Sequence, residues 1–126
     1  MYKVIIAGGR DFNDYELLKE VCDHYLQNKG EVQIVSGKQK TTDPQSGEEY
    51  GADFLGEKYA KEKGYSIEEF PADWNKHHRA AGPIRNRQMA EYSDALIAFH
   101  DGKSKGTANM IETARTMWLD IRVHKY

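Results

Sequence analysis

Residues 4–12 read Val-Ile-Ile-Ala-Gly-Gly-Arg-Asp-Phe, a short apolar run stopped abruptly by two glycines and a charged pair. Four consecutive apolar residues bounded by a glycine turn suit a strand buried on both faces, as in a parallel sheet. The same pattern recurs at Val32–Val35 before Ser36-Gly37, and at Ala95–Phe99 before His100-Asp101-Gly102. Ser66–Phe70 and Ile121–Val123 are two further strand candidates, with charges within or beside them.

Helical periodicity fills the intervals. A helix is predicted over Asn13–Asn28, with Asn13 as cap, Glu16 three residues on, an inward stripe of Leu18, Val21, Cys22 and Tyr25, and Gly30 closing it. Ala52–Lys63 reads as a second helix, stopped by Gly64, and Ile84–Tyr92 as a third after Pro83. Thr107–Trp118 reads as the last, with Met110 or Ile111, Ala114 and Trp118 facing in.

Strands alternating with helices imply one parallel sheet with right-handed crossovers. The apolar first, second and fourth strands belong at its centre, and the charged third and fifth at its edges. The fold expected is an α/β, Rossmann-like three-layer sandwich with a five-stranded parallel sheet in the order 3-2-1-4-5. A length of 126 residues accommodates one such domain, 1–126.

That order puts a topological switch point between the first and fourth strands, where open α/β sheets bind ligands. Two loops meet there: Gly8-Gly9-Arg10-Asp11 and Asp101-Gly102-Lys103-Ser104-Lys105-Gly106-Thr107. Each alone is a tight turn or a helix cap; together they read as a phosphate cradle, Gly8-Gly9 and Gly106-Thr107 offering backbone N–H groups. Between Trp74 and Ala90 there is no Asp or Glu, while Lys76, His77, His78, Arg79, Arg85 and Arg87 all lie there. With a net charge of −2, one concentrated basic segment suits a small anion better than a long polyanion, unless it is only a solvated loop.

Several chemistries are excluded. GxGxxG is absent after the first strand, and the second ends in Ser36-Gly37 without an acidic residue to hold a ribose. Gly102-Lys103-Ser104 matches the end of a P-loop, but Ile97 or Ala98 stands where the first glycine is required. The adjacent His77 and His78 cannot face one metal, and neither metal nor cofactor is expected. The single Cys22 leaves no internal disulfide, and the opening apolar run is too short for a leader or a membrane span, so a cytoplasmic location is expected.

IIAGGRDF, SG at the end of the second strand, GADFLGEKYAKEKG, FPADW, AGPIRNRQMAEYSDALIAF and DGKSKGTANMI together resemble the YspA-type domains of the SLOG superfamily. That superfamily also holds the LOG phosphoribohydrolases and the DNA-processing protein DprA. The resemblance covers nearly the whole chain and implies a Rossmann-like fold that binds nucleotides or their derivatives, signalling nucleotides among them. It implies that Arg85, four residues before Met89, matches the LOG arginine. The LOG glutamate is unmatched, because Met110 stands at its position; Asp11, Asp73 or Asp101 would have to substitute. Residues 38–50 form an apparent polar insertion at the pocket rim, either a mobile lid or an inert loop.

The resulting expectation is a ligand site of Gly8, Gly9, Arg10, Asp11, Ser36, Gly37, Asp73, Trp74, Arg85, Asn86, Asp101, Gly102, Lys103, Gly106 and Thr107, with Arg85, Asp73 and Asp101 as catalytic candidates. Arg85 and Arg87 differ in direction by about 200° on a helix, so only one faces the pocket, and the resemblance selects Arg85. The ligand is a small phosphorylated nucleotide, with LOG-like N-glycosidic hydrolysis or DprA-like single-strand binding as alternatives; net charge and size disfavour nucleic acid. Tyr15, Tyr50, Tyr59, Tyr92, Met117 and Trp118 look like surplus apolar surface. A homo-oligomer, a dimer or higher, is expected to pair there, bringing Arg79 or His78 to the neighbour's pocket.

Overall fold

The computed structural model describes residues 1–126. The elements in chain order are β1 (Tyr2–Gly8), α1 (Tyr15–Leu26), β2 (Val32–Ser36), β3 (Thr41–Thr42), β4 (Glu49–Tyr50) and α2 (Ala52–Lys63). There follow β5 (Ser66–Glu69), α3 (Trp74–His77), a 3-10 turn (His78–Ala80), α4 (Ala81–Tyr92), β6 (Ala95–His100), α5 (Lys105–Thr116) and β7 (Asp120–Lys125).

Five strands form one parallel sheet in the order β5-β2-β1-β6-β7, the order expected from strand apolarity. Alternation along β1 sends Val4 and Ile6 to one face and Ile5 and Ala7 to the other. On the first face they meet Leu18 and Cys22 of α1 and Leu55 and Tyr59 of α2. On the second they meet Met89 and Ala90 of α4 and Met110 and Ala114 of α5. The sheet is thereby the middle of three layers. Every residue of β2 is buried, whereas no residue of β5 or β7 is fully buried, as central and edge positions require. No helix is long and apolar enough to cross a membrane.

Element ends depart from the sequence reading for local reasons. Asp14, not Asn13, caps α1: its Oδ1 accepts the Leu17 N–H at 3.1 Å. The helix stops at Leu26, which takes the buried place expected of Tyr25, and Asn28 and Gly30 turn the chain at positive φ. Helix α4 starts at Ala81, making Pro83 its third residue. First-turn N–H groups have no intrahelical partner, so proline's missing donor is harmless there. Helix α5 starts at Lys105, because Ser104 accepts the Thr107 N–H, and it ends at Thr116. Trp118 therefore lies beyond the helix at φ 63° and is 93% exposed instead of facing in.

Residues 38–50 carry a short two-stranded ribbon. Strands β3 and β4 pair antiparallel, and the Asp43 carboxylate accepts the Gln45 and Ser46 N–H groups at 2.8 and 3.2 Å to shape their turn. The aromatic surplus mostly disappears into the fold. Tyr59 is buried and donates to Asp23 at 2.7 Å, Tyr92 donates to Gln33, and Tyr15 donates to Glu62. Of the residues expected to drive pairing, Trp118 alone stands fully open.

One close approach fixes β1 against β6. A Cβ on Gly8 would lie 2.4 Å from the Phe99 carbonyl oxygen and 2.9 Å from the Ala52 Cβ, neither of which has room to retreat. At Gly106 nothing lies within 4 Å. Gly8→Ala is expected to lower unfolding stability in urea by about 1–3 kcal/mol or more. Gly106→Ala, in a helical turn with free space, should shift it by no more than about 1 kcal/mol. Equal effects at the two positions would contradict this packing.

Candidate functional site

The carboxyl ends of β1 and β6 open into a cavity of about 570 Å³ at the point where the strand order reverses. Its walls come from the end of β1 and the loop after it (Ala7–Asp11), from Asp101 and the first turns of α5, and from α4 between Gly82 and Met89. Gln39 of the ribbon, Asp53 of α2, Trp74 of α3 and Arg79 complete the lining.

The expected cradle of glycine N–H groups is corrected in detail. Gly9 donates to the Phe99 carbonyl at 3.2 Å and Thr107 to Ser104 at 3.3 Å, so neither N–H faces a ligand. Gly8 and Gly9 are glycines for want of space: a Gly9 Cβ would collide with the Tyr126 hydroxyl at 1.8 Å. Of the expected donors Gly106 keeps a free N–H, and the other uncommitted ones are its neighbour Lys105 and the two residues after Gly9. The N–H groups of Arg10 and Asp11, and those of Lys105 and Gly106 in the first turn of α5, donate to nothing in the chain.

Between these loops lies a buried pair. Arg85 of α4 is only 6% exposed; its Nη1 donates to the Gly37 carbonyl at 2.6 Å and its Nε to Asn86 Oδ1 at 3.0 Å. Asn86 in turn donates to Asn109 at 3.0 Å and to the Gly106 carbonyl at 3.4 Å, which ties Arg85 to the start of α5. Asp53, 8% exposed, sits on the other side, its Oδ2 accepting the Gln39 N–H at 3.1 Å. Burial pushes the Asp53 carboxyl up to about 6, against the opposing pull of the Gln39 N–H and the Arg85 charge. Burial likewise holds Arg85 below the usual guanidinium range, with Asp53 opposing. Gly37 makes the meeting possible, because a Cβ there would lie 2.6 Å from Arg85 Nη1 and 2.9 Å from Asp53 Oδ2.

The remaining expected residues divide. Arg10 lines the cavity and is strapped down by the ribbon: its Nε donates to Gln39 Oε1 at 3.1 Å, and Thr41 Oγ1 donates to its carbonyl at 2.7 Å. Asp11 accepts the Tyr126 hydroxyl at 2.5 Å. Asp101 lines the cavity too, but its Oδ1 accepts the Lys103 and Ser104 N–H groups, both at 2.8 Å. Those bonds hold it below the usual carboxylate range and commit it to the turn. Trp74 presents a ring to the cavity, 46% exposed, lying against Gly82.

Five expected residues do not line the cavity, among them Gly37, whose carbonyl is covered by Arg85. Asp73 caps α3 through the Lys76 N–H at 3.0 Å and does not line the cavity. Ser36 donates to Glu57 at 2.6 Å, while Gly102 and Lys103 stand exposed outside. Arg85 faces the cavity and Arg87 does not, its Nε donating to Glu91 at 2.9 Å on the open surface. Arg79 lines the cavity of its own chain.

Sequence reasoning missed Asp53, Gln39 and Lys105 as lining residues. A signal for Asp53 existed: Asp53 and Glu57 are four apart, among Ala52, Leu55, Gly56, Tyr59 and Ala60, all on the buried side of α2. Carboxylates on an otherwise apolar stripe are seldom buried without a role.

The charges in the cavity are unevenly committed. Asp11, Asp53 and Asp101 already accept hydrogen bonds from the chain, whereas Arg79 and Lys105 have no hydrogen-bond or ion-pair partner. Comparison with protein-family models, with curated proteins and with solved structures finds no match to this chain. The fold and site themselves define a Rossmann-like α/β domain with a polar, cation-rich crevice at its switch point.

The raised Asp53 value has a thermodynamic sign. The folded chain holds this proton more tightly than the unfolded chain, whose carboxyl titrates near 3.8. The Asp53 contribution to stability is thus greatest below about pH 4 and is lost as pH rises from there to about 6. Asp53→Asn escapes that loss. Thermal unfolding should show the variant gaining on the parent by on the order of 3 kcal/mol between pH 4 and pH 8. A difference that does not change with pH would contradict the assignment.

Proposed function

We propose that this chain binds a small phosphorylated, nucleotide-like ligand in the switch-point crevice. The observation that carries the reading is the set of unpartnered donors at one place: the Arg10, Asp11, Lys105 and Gly106 backbone N–H groups with the cationic Arg79 and Lys105 side chains. A helix N-terminus with free N–H groups favours an anion, and the adjoining side-chain charges strengthen it. Trp74 offers a face on which a base stacks. The motif resemblance to YspA-type SLOG domains points to the same ligand class, and the buried, free Cys22 suits a reducing cytoplasm.

One observation favours a second reading, hydrolysis of an N-glycosidic bond. Asp53, with its carboxyl near 6 and inside the cavity, supplies a buried carboxylate that the sequence did not disclose. Release of free base from nucleoside monophosphates separates a hydrolase from a binding module.

Lys105→Ala and Arg79→Ala remove charges that hold nothing else in the fold. Each is expected to weaken nucleoside monophosphate binding by about tenfold in titration calorimetry, an effect that added salt diminishes. Arg87→Ala, on the outer side of α4, should leave affinity unchanged. Losses as large from Arg87→Ala, or full affinity without Lys105 and Arg79, would refute the site.

A further inference from the structure

Nucleotide-binding sheets of this kind hold a ribose with an acidic side chain at the end of the strand beside β1. Here that strand is β2, and it ends in Ser36 with Gly37 following, where no acid is available. The structure nevertheless puts a carboxylate at that spot. Asp53 Oδ2 lies 2.9 Å from the point a Gly37 Cβ would occupy, delivered from the first turn of α2 through the space the glycine leaves.

We propose that Asp53 is the ribose-reading residue of this site and that the site selects ligands carrying a vicinal diol over their deoxy counterparts. The inference rests on the proposed nucleotide-like ligand. Oδ2 is held by the Gln39 N–H at 3.1 Å, while Oδ1 accepts no hydrogen bond from the chain, and Asp53 lines the cavity. An ionised carboxylate only accepts, so its fitting partners are donors, and sugar hydroxyls are donors. Arg85 stands beside it with Nη1 and Nε committed to Gly37 and Asn86, leaving Nη2 as a donor for the same hydroxyl's lone pairs. Acceptor and donor side by side match an alcohol.

The arrangement also orients the ligand. The Asp53 charge repels a phosphate, whereas the unpaired Arg79 and Lys105 side chains in the same cavity attract it. The charged groups acting on Asp53 are Arg85 from α4, Arg10 from the loop after β1 and Glu57 one turn along α2. Of these, only Glu57 opposes ionisation.

Base-free probes isolate the sugar: ribose 5-phosphate, 2-deoxyribose 5-phosphate and inorganic phosphate, titrated at pH 8 with calorimetric or NMR detection. The parent protein is expected to prefer the ribose compound by about tenfold, the worth of one charge-assisted hydrogen bond. Asp53→Asn keeps an oxygen for the Gln39 N–H and turns its NH2 to the cavity. It should lose that preference, the ribose and 2-deoxyribose compounds then binding alike. A second arm needs no variant: at pH 5, below the Asp53 value of about 6, the parent's preference should shrink. If phosphate and both sugars bind the parent equally, the ribose assignment is overturned and the anion site stands. If none of the three binds, the assignment falls together with the proposed function. A preference that survives both Asp53→Asn and pH 5 assigns the diol to another residue and overturns the proposal.

Discussion

A guanidinium buried inside a domain this small dictates much of its surroundings. Taking the Arg85 charge out of water costs several kcal/mol unless its donors and its charge find partners. The partners come from three separate stretches of chain: the Gly37 carbonyl after β2, Asn86 on its own helix and the Asp53 carboxylate on α2. Each imposes a condition. Gly37 must lack a side chain, α2 must begin early enough to put Asp53 in its first turn, and α4 must begin at Ala81 so that Arg85 falls on the inward face. Through Asn86 the same group is tied to Asn109 and Gly106, so one cation fastens both walls of the crevice to each other.

The arrangement is not the most stable that the fold allows. A carboxyl held near 6 is desolvated more than its neighbours repay, and an apolar or amide side chain at residue 53 would be easier to bury. Proteins keep such groups chiefly where they act on a ligand. The ribbon of residues 38–50 belongs to the same arrangement, because Gln39 and Thr41 hold both Asp53 and Arg10 in place. Through Gln39 it is part of the wall.

The sheet was legible because strand burial is written in continuous apolar runs. Val4–Ala7, Val32–Val35 and Ala95–Phe99 had to be central, and the charged SIEE and DIRVHK segments had to be edges. The place of the site followed from the strand order alone. What escaped was set by side chains meeting across the fold. That Asp14 rather than Asn13 caps α1 depends on which side chain reaches the Leu17 N–H. That Gly9 and Thr107 are spent on Phe99 and Ser104 depends on hydrogen bonds that no spacing announces. Asp53 was quoted within a motif, yet its approach to Arg85 is visible only once Gly37 is seen between them. Trp118 matched the periodicity of α5, but the helix ends before it.

The central claim is that an anion rests on the free N–H groups at the carboxyl ends of β1 and β6. Amide-resolved NMR during a titration with inorganic phosphate tests it most directly. The largest shifts should fall on Arg10, Asp11, Lys105 and Gly106, the four donors without a partner in the chain. Shifts concentrated instead on the lysine-rich groove between the ribbon and α2, at Lys40, Lys58 and Lys61, or no shifts at all, would contradict the account.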